Sequence, residues 1–132
     1  MQAYVICGYG IPKDIESDTN YRTYLNVVFN RIFAGSADQE AIIIPCGGET
    51  SCEPPYEGTE AAAIGECIEK MMRREVMGKT TADWRVVRED RSLSTLENLL
   101  FANEIVGDAE HTTIFCDETR KERIGLISKK VF

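Results

Sequence analysis

The run Ala41-Ile42-Ile43-Ile44-Pro45-Cys46 constrains the fold more than any other stretch. It has no polar side chain and no alternation, so it is not a strand with one wet face. It suits a strand covered on both faces, the kind found in parallel sheets flanked by helices. The run stops at Gly47-Gly48, and glycine is a common strand terminator.

Three more strand-then-helix units follow the same plan. "AYVIC", ending at Cys7, is short, apolar and partly β-branched. After it, Tyr21, Leu25, Val28, Phe29, Ile32 and Phe33 recur at helical spacing and form one stripe. Beyond the second strand, "TEAAAIGECIEKMM" presents Ala61, Ile64, Ile68, Met71 and Met72 on one face. "DWRVV" is the weakest strand candidate, and "STLENLLFANEIV" follows it, with Leu96, Leu99, Leu100 and Ile105 on one side. "HTTIFC" and "ETRKERIGLISKKVF" complete the fourth pair. Alternating strands and helices imply right-handed crossovers. The expected fold is a doubly wound, Rossmann-like, mostly parallel sheet in three α/β/α layers.

A chain of 132 residues predicts one domain over 1–132. Folding at this size buries roughly 65–70% of the unfolded chain's surface. The net charge of −7 and the lack of a basic run exclude a phosphate-backbone reader, so no nucleic acid is expected. The opening "MQAYVICGYGIPKD" lacks a basic leader, and its apolar run breaks at Gly8. No run approaches the roughly 18 apolar residues of a membrane span. The expectation is a cytoplasmic protein without a membrane partner. None of the five cysteines forms a Cys-x-x-Cys pair, which points to free thiols in a reducing compartment.

Open parallel sheets bind ligands outside the carboxyl ends of their strands. That rule puts Gly8 and Gly10, Gly47 to Thr50, Ser92 to Asn98, and Asp117 to Arg123 at one edge. Gly8 and Gly10 could present backbone amides to an anion, or simply turn the chain. Gly47-Gly48-Glu49 reads more readily as a turn. Ser94-Thr95-Leu96-Glu97 fits a capping box, with Ser94 bonding the Glu97 amide and Glu97 reaching back to Ser94. That leaves Ser92, Thr95 and Asn98 unexplained at the positive end of a helix, where a polar or anionic ligand would be welcome. Arg120 and Arg123 share a helical face; they are either a solvated charge face or a grip for a carboxylate or phosphate. Cys7, Cys46 and Cys116 each end a strand, and core packing is preferred over zinc for want of a fourth ligand. His111 lies at the opposite edge, so no Ser-His or Cys-His pair is supported.

The order "ICGYG", "IIIPCGGET", "GTEAAAI", "SLSTLENLLFA" and "IFCDETRKERI" resembles the domain of unknown function 218 family, the YdcF/SanA/ElyC-like proteins. The likeness covers nearly the whole chain, and its most specific element is Ser92 to Asn98. It implies functional roles for Gly8, Gly10, Gly47, Gly48, Glu60, Ser92, Thr95, Glu97, Asn98 and Arg123. Cys46 stands where the family usually has serine, Thr59 where it has serine before Glu-Ala, and Arg120 where it has histidine. Arginine does not deprotonate near neutrality, so a proton-transfer role there is lost while anion binding survives. The family is similar to Rossmann-like proteins, and one branch is associated with S-adenosylmethionine, a candidate ligand here. Membrane-anchored branches are tied to envelope integrity, which transfers poorly to a chain without an anchor. Members continue with at least one more strand, so the resemblance implies that the C-terminal strand or strands are lacking.

The expected function is binding of a small anionic or nucleotide-like metabolite at the carboxyl edge of the sheet. The alternatives are an enzyme acting on a phosphorylated or nucleotide-like substrate, with Glu49, Glu60 or Glu97 as acid or base, and a non-catalytic sensor or interaction module. The oligomeric state is left open.

Overall fold

The computed structural model describes residues 1–8, 15, 17–48, 58–74 and 79–132. Its frame is four parallel strands and four helices in alternation. The strands are β1 (Gln2–Ile6), β2 (Ala41–Pro45), β3 (Trp84–Val86) and β4 (His111–Phe115). The helices are α1 (Thr19–Ser36), α2 (Glu60–Met72), α3 (Thr95–Val106) and α4 (Lys121–Val131). A single 3-10 turn, Glu118–Arg120, leads into α4.

The sheet order is β3-β2-β1-β4, all parallel. The chain steps outward from β1 to β3, then returns to the far side of β1 as β4. Right-handed crossovers must then place the later helices on the opposite face. One core accordingly joins Tyr4, Ile6, Ile43 and Trp84 to Tyr21, Leu25, Ile32, Ile64 and Ile68 of α1 and α2. The other joins Ala3, Val5, Ile42 and Ile44 to Leu99, Ala102, Val106 and Ile124 of α3 and α4. β2 is buried at all five positions, as its unbroken apolar run requires. The three-layer, doubly wound arrangement is therefore the one expected. β3, the weakest strand in sequence, is also the shortest, with three residues at an edge.

The stripe of α1 buries Tyr21, Leu25, Val28, Phe29 and Ile32, and Asp18 caps the helix by accepting from the Tyr21 amide. The stripe assigned to α3 needs correction. Leu99, Ala102 and Val106 face the sheet, whereas Leu96 and Leu100 are 48% and 43% exposed. Helical positions 99, 102 and 106 lie in one line; 96 and 100 flank it on the outside. The leucines are the conspicuous apolar residues of this segment, but the smaller Ala102 holds a fully buried position. Among the described residues, no helix is long and apolar enough to cross a membrane.

Candidate functional site

The point where the strand order reverses lies between the carboxyl ends of β1 and β4. Crevices of this kind are the usual ligand sites of open parallel sheets. Arg120 spans it. Its Nη2 donates to the Gly8 carbonyl beyond β1, and its Nε donates to Asp117 beyond β4. Its Nη1 donates to Thr95 Oγ1 at 3.4 Å, and Arg123 Nη2 donates to the same oxygen at 3.3 Å. The Thr95 hydroxyl thus accepts from two guanidinium groups, which leaves its own proton directed elsewhere. Thr95 opens α3, where the first amides have no helical carbonyl to bond.

Charge is balanced on one side only. Asp117 pairs with Arg120. Burial alone pulls the Asp117 carboxyl upward, but the bonds from Thr119 and Arg120 together hold it below its ordinary value. Burial works against the Arg120 charge as well, and Asp117 more than compensates. Arg123 has no ion-pair partner among the described residues. A pocket of about 400 Å³ lies against it, lined by Ser94, Thr95, Leu96 and Ile127. Two guanidinium groups, one hydroxyl and the positive end of a helix therefore converge, and among the described residues only Arg120 of the two arginines has a paired carboxylate, Asp117.

The glycines after β1 and β2 have a specific neighbour. A Cβ at Gly8 would strike the Glu60 carboxyl, and one at Gly47 would stand 2.7 Å from Glu60 Cβ and 2.9 Å from its Oε1. Gly47 also has φ of +142°, which disfavours any side chain. Glu60 is the first residue of α2, which Thr59 caps through the Ala62 amide. The Glu60 and Ala61 amides donate to the Gly48 and Gly47 carbonyls, tying α2 to the end of β2. Tyr21, fully buried, donates its hydroxyl to Glu60 Oε2 at 2.7 Å. Glu60 is thus held by α1 and received by two glycines. Gly48 fits differently, against the Ser92 carbonyl, to which its amide donates at 2.7 Å.

Ser94 accepts from the Glu97 amide at 3.2 Å, as a capping box requires. Glu97 Oε1 accepts from the Ser94 hydroxyl and, at 3.2 Å, from the Leu93 amide, one residue further back than expected. Glu97 is therefore occupied in starting α3. Ser92 and Asn98, at 3% and 6% exposure, are buried and bonded to each other. Their polarity is satisfied inside the fold, and Thr95 is the member of that trio beside the arginines. Gly10 and Glu49 lie outside the described residues.

Cys7 and Cys46 are fully buried in the core under α3 and α4, with Cys116 packed against it. Burial pushes the Cys7 thiol up to about 12 and raises Cys46 well above its usual value. Among the described residues, no three His, Cys, Asp or Glu side chains are grouped to hold a metal. His111 starts β4, opposite Gln2, at the amino edge of the sheet.

Three participants had gone unassigned in the sequence. Asp117 fixes Arg120. Tyr24 donates to the Cys7 carbonyl at 2.9 Å beside the crevice. Glu89, 2% exposed, accepts from the Arg91 and Ser92 amides at 3.0 and 2.9 Å and so shapes the segment before α3, while its Oε2 is buried without a hydrogen-bond partner among the described residues. Tyr24 follows Tyr21 by one helical turn, which is the one signal that could have drawn it in.

Fold and crevice together define a doubly wound α/β domain with a cationic switch point. Comparison of the chain with protein-family models, with curated proteins and with solved structures finds no match in any of the three. The resemblance to the domain of unknown function 218 family rests on the residues quoted for it above.

Proposed function

We propose that this protein binds a small anionic metabolite in the crevice between β1 and β4, with Arg123, Arg120 and Thr95 as the groups that hold the negative charge. The carrying observation is the convergence of both guanidinium groups on the Thr95 hydroxyl at the start of α3. In a chain of net charge −7, that grouping concentrates positive potential where amides already point outward. A phosphate or carboxylate would replace the weak arginine–hydroxyl bonds with charge-assisted ones. S-adenosylmethionine, brought forward by the family resemblance, carries such a carboxylate and belongs among the ligands tested. A reducing, cytoplasmic setting fits the free thiols at Cys7, Cys46 and Cys116. The test is calorimetric titration with methyl phosphate, S-adenosylmethionine and nucleotides. Binding that weakens at least tenfold in Arg123→Ala supports the reading; unchanged affinity in that variant removes it.

One observation favours a catalytic version. Of the three carboxylates expected as acid or base, Glu97 is engaged in the cap and Glu49 lies outside the described residues. Glu60 remains, oriented by Tyr21 at the end of β1 and close to the Gly8 carbonyl that Arg120 contacts. Turnover of a bound phosphorylated compound that is lost in Glu60→Gln, with binding retained, is the expected sign of it. Binding without turnover across the ligand set leaves the protein a binding or sensing module.

A further inference from the structure

Arg120 bonds one residue of the anion pocket, Thr95, and one residue of a second cavity, Asp117. That second cavity is a shallow groove of about 590 Å³ between α1 and the segment after β4. Asn20, Thr23 and Tyr24 of α1 line one wall, and Cys116, Asp117, Glu118 and Thr119 line the other. The amide of Asn20 and the hydroxyl of Thr23 are exposed, and Asp117 keeps acceptor capacity beyond the bonds it takes from Arg120 and Thr119. Five of the seven side chains are polar or acidic, beside one aromatic ring and one thiol. That lining suits a moiety that carries several hydroxyls.

The two compartments are close enough for one molecule. Thr95 Oγ1 and an Asp117 carboxylate oxygen are both bonded to the same guanidinium. Hydrogen-bond lengths and the width of that group place them no more than about 8 Å apart. A phosphorylated five- or six-carbon sugar spans that distance between its phosphate and its far hydroxyls. We infer that the ligand is a sugar phosphate whose phosphate lies against Thr95 and Arg123 and whose hydroxyls lie in the groove between Asn20, Thr23 and Asp117. This inference rests on the anion-binding reading above and adds to it the chemical class of the ligand.

Titration with methyl phosphate and with ribose 5-phosphate separates the two. The anion pocket alone predicts equal affinity for both. The second groove predicts that ribose 5-phosphate binds about tenfold more tightly or better, the effect of two or three added hydrogen bonds. The double variant Asn20→Ala, Thr23→Val changes exposed side chains only, so the fold is retained. It is expected to bring ribose 5-phosphate down to the level of methyl phosphate and to leave methyl phosphate unchanged, whereas Arg123→Ala weakens both. Equal affinities in the wild-type protein, or an advantage that survives the double variant, overturn the sugar inference while leaving the anion pocket standing. Binding of neither compound removes the anion pocket and the inference with it.

Discussion

Replacing Gly8 with alanine tests whether the Glu60 carboxyl occupies the space above the end of β1. The new methyl group would enter the position of that carboxyl. The obstacle is the far end of a flexible side chain, so the backbone need not move. What is lost is the bond from the buried Tyr21 hydroxyl, because Glu60 has to swing away to make room. A hydrogen bond to a charged group contributes about 1.5–3 kcal/mol, and Gly8→Ala should cost that much. In a Glu60→Ala background the obstacle is gone. The same substitution should then be neutral, or stabilising by about 0.4–1 kcal/mol through the unfolded chain. The coupling between the two changes is therefore expected at about 1.5–4 kcal/mol, well above the roughly 0.5 kcal/mol seen for independent sites. Urea unfolding followed by the fluorescence of Trp84, 6% exposed and packed against Phe29 and Phe33, reads it directly. Gly47→Ala is the internal control. Its strain comes partly from φ of +142°, so it should stay costly when Glu60 is removed. A Gly8→Ala cost that is identical with and without Glu60 would refute the reasoning.

Other outcomes follow from the same geometry. The Cys7 thiol is raised from 9.0 to about 12 by burial, so its contribution to stability is complete below pH 9 and is lost as pH rises toward 12. Cys7→Ala should flatten the fall in urea midpoint between pH 9 and 10.5. Asp117 is held below 3.8, so its contribution is present above that value and disappears as pH falls through the lowered one; Asp117→Asn should abolish that part of the acid sensitivity. Glu89→Ala strands the buried Ser92 amide and frees the part-buried Arg91 amide, and a loss of about 1–3 kcal/mol in urea unfolding is expected. A loss below about 1 kcal/mol would mean that the segment before α3 finds other partners.

The fold was legible because its signals are local and redundant. The unbroken run of β2 demands two covered faces, and the α1 stripe repeats at helical spacing through five buried positions. The edge carrying the site was legible too, since strand direction fixes where loops after strands must gather. What the sequence did not disclose is how polar residues divide between fold and surface. Ser92, Thr95 and Asn98 look alike as letters, yet only Thr95 meets the arginines, and Glu89 consumes the amides beside Ser92. Gly8 and Gly47 could be read as an anion cradle or as turns; their relation to Glu60 depends on a contact across the chain that no local pattern encodes.

The central position of β1 has a consequence for synthesis. β1 pairs with β2 on one side and with β4 on the other, Gln2 lying opposite His111. β1 therefore leaves the ribosome long before its partner β4. At translation rates of about 5–20 residues per second, one edge of a largely apolar strand stays without its partner for roughly 5–20 s. The β1-α1-β2 unit can close early, whereas the crevice, bounded by β1 and β4, is assembled only once β4 has emerged. Nascent chains arrested before β4 should therefore be caught by chaperones that recognise exposed strand edges, and ligand binding should arise only once α4 has emerged.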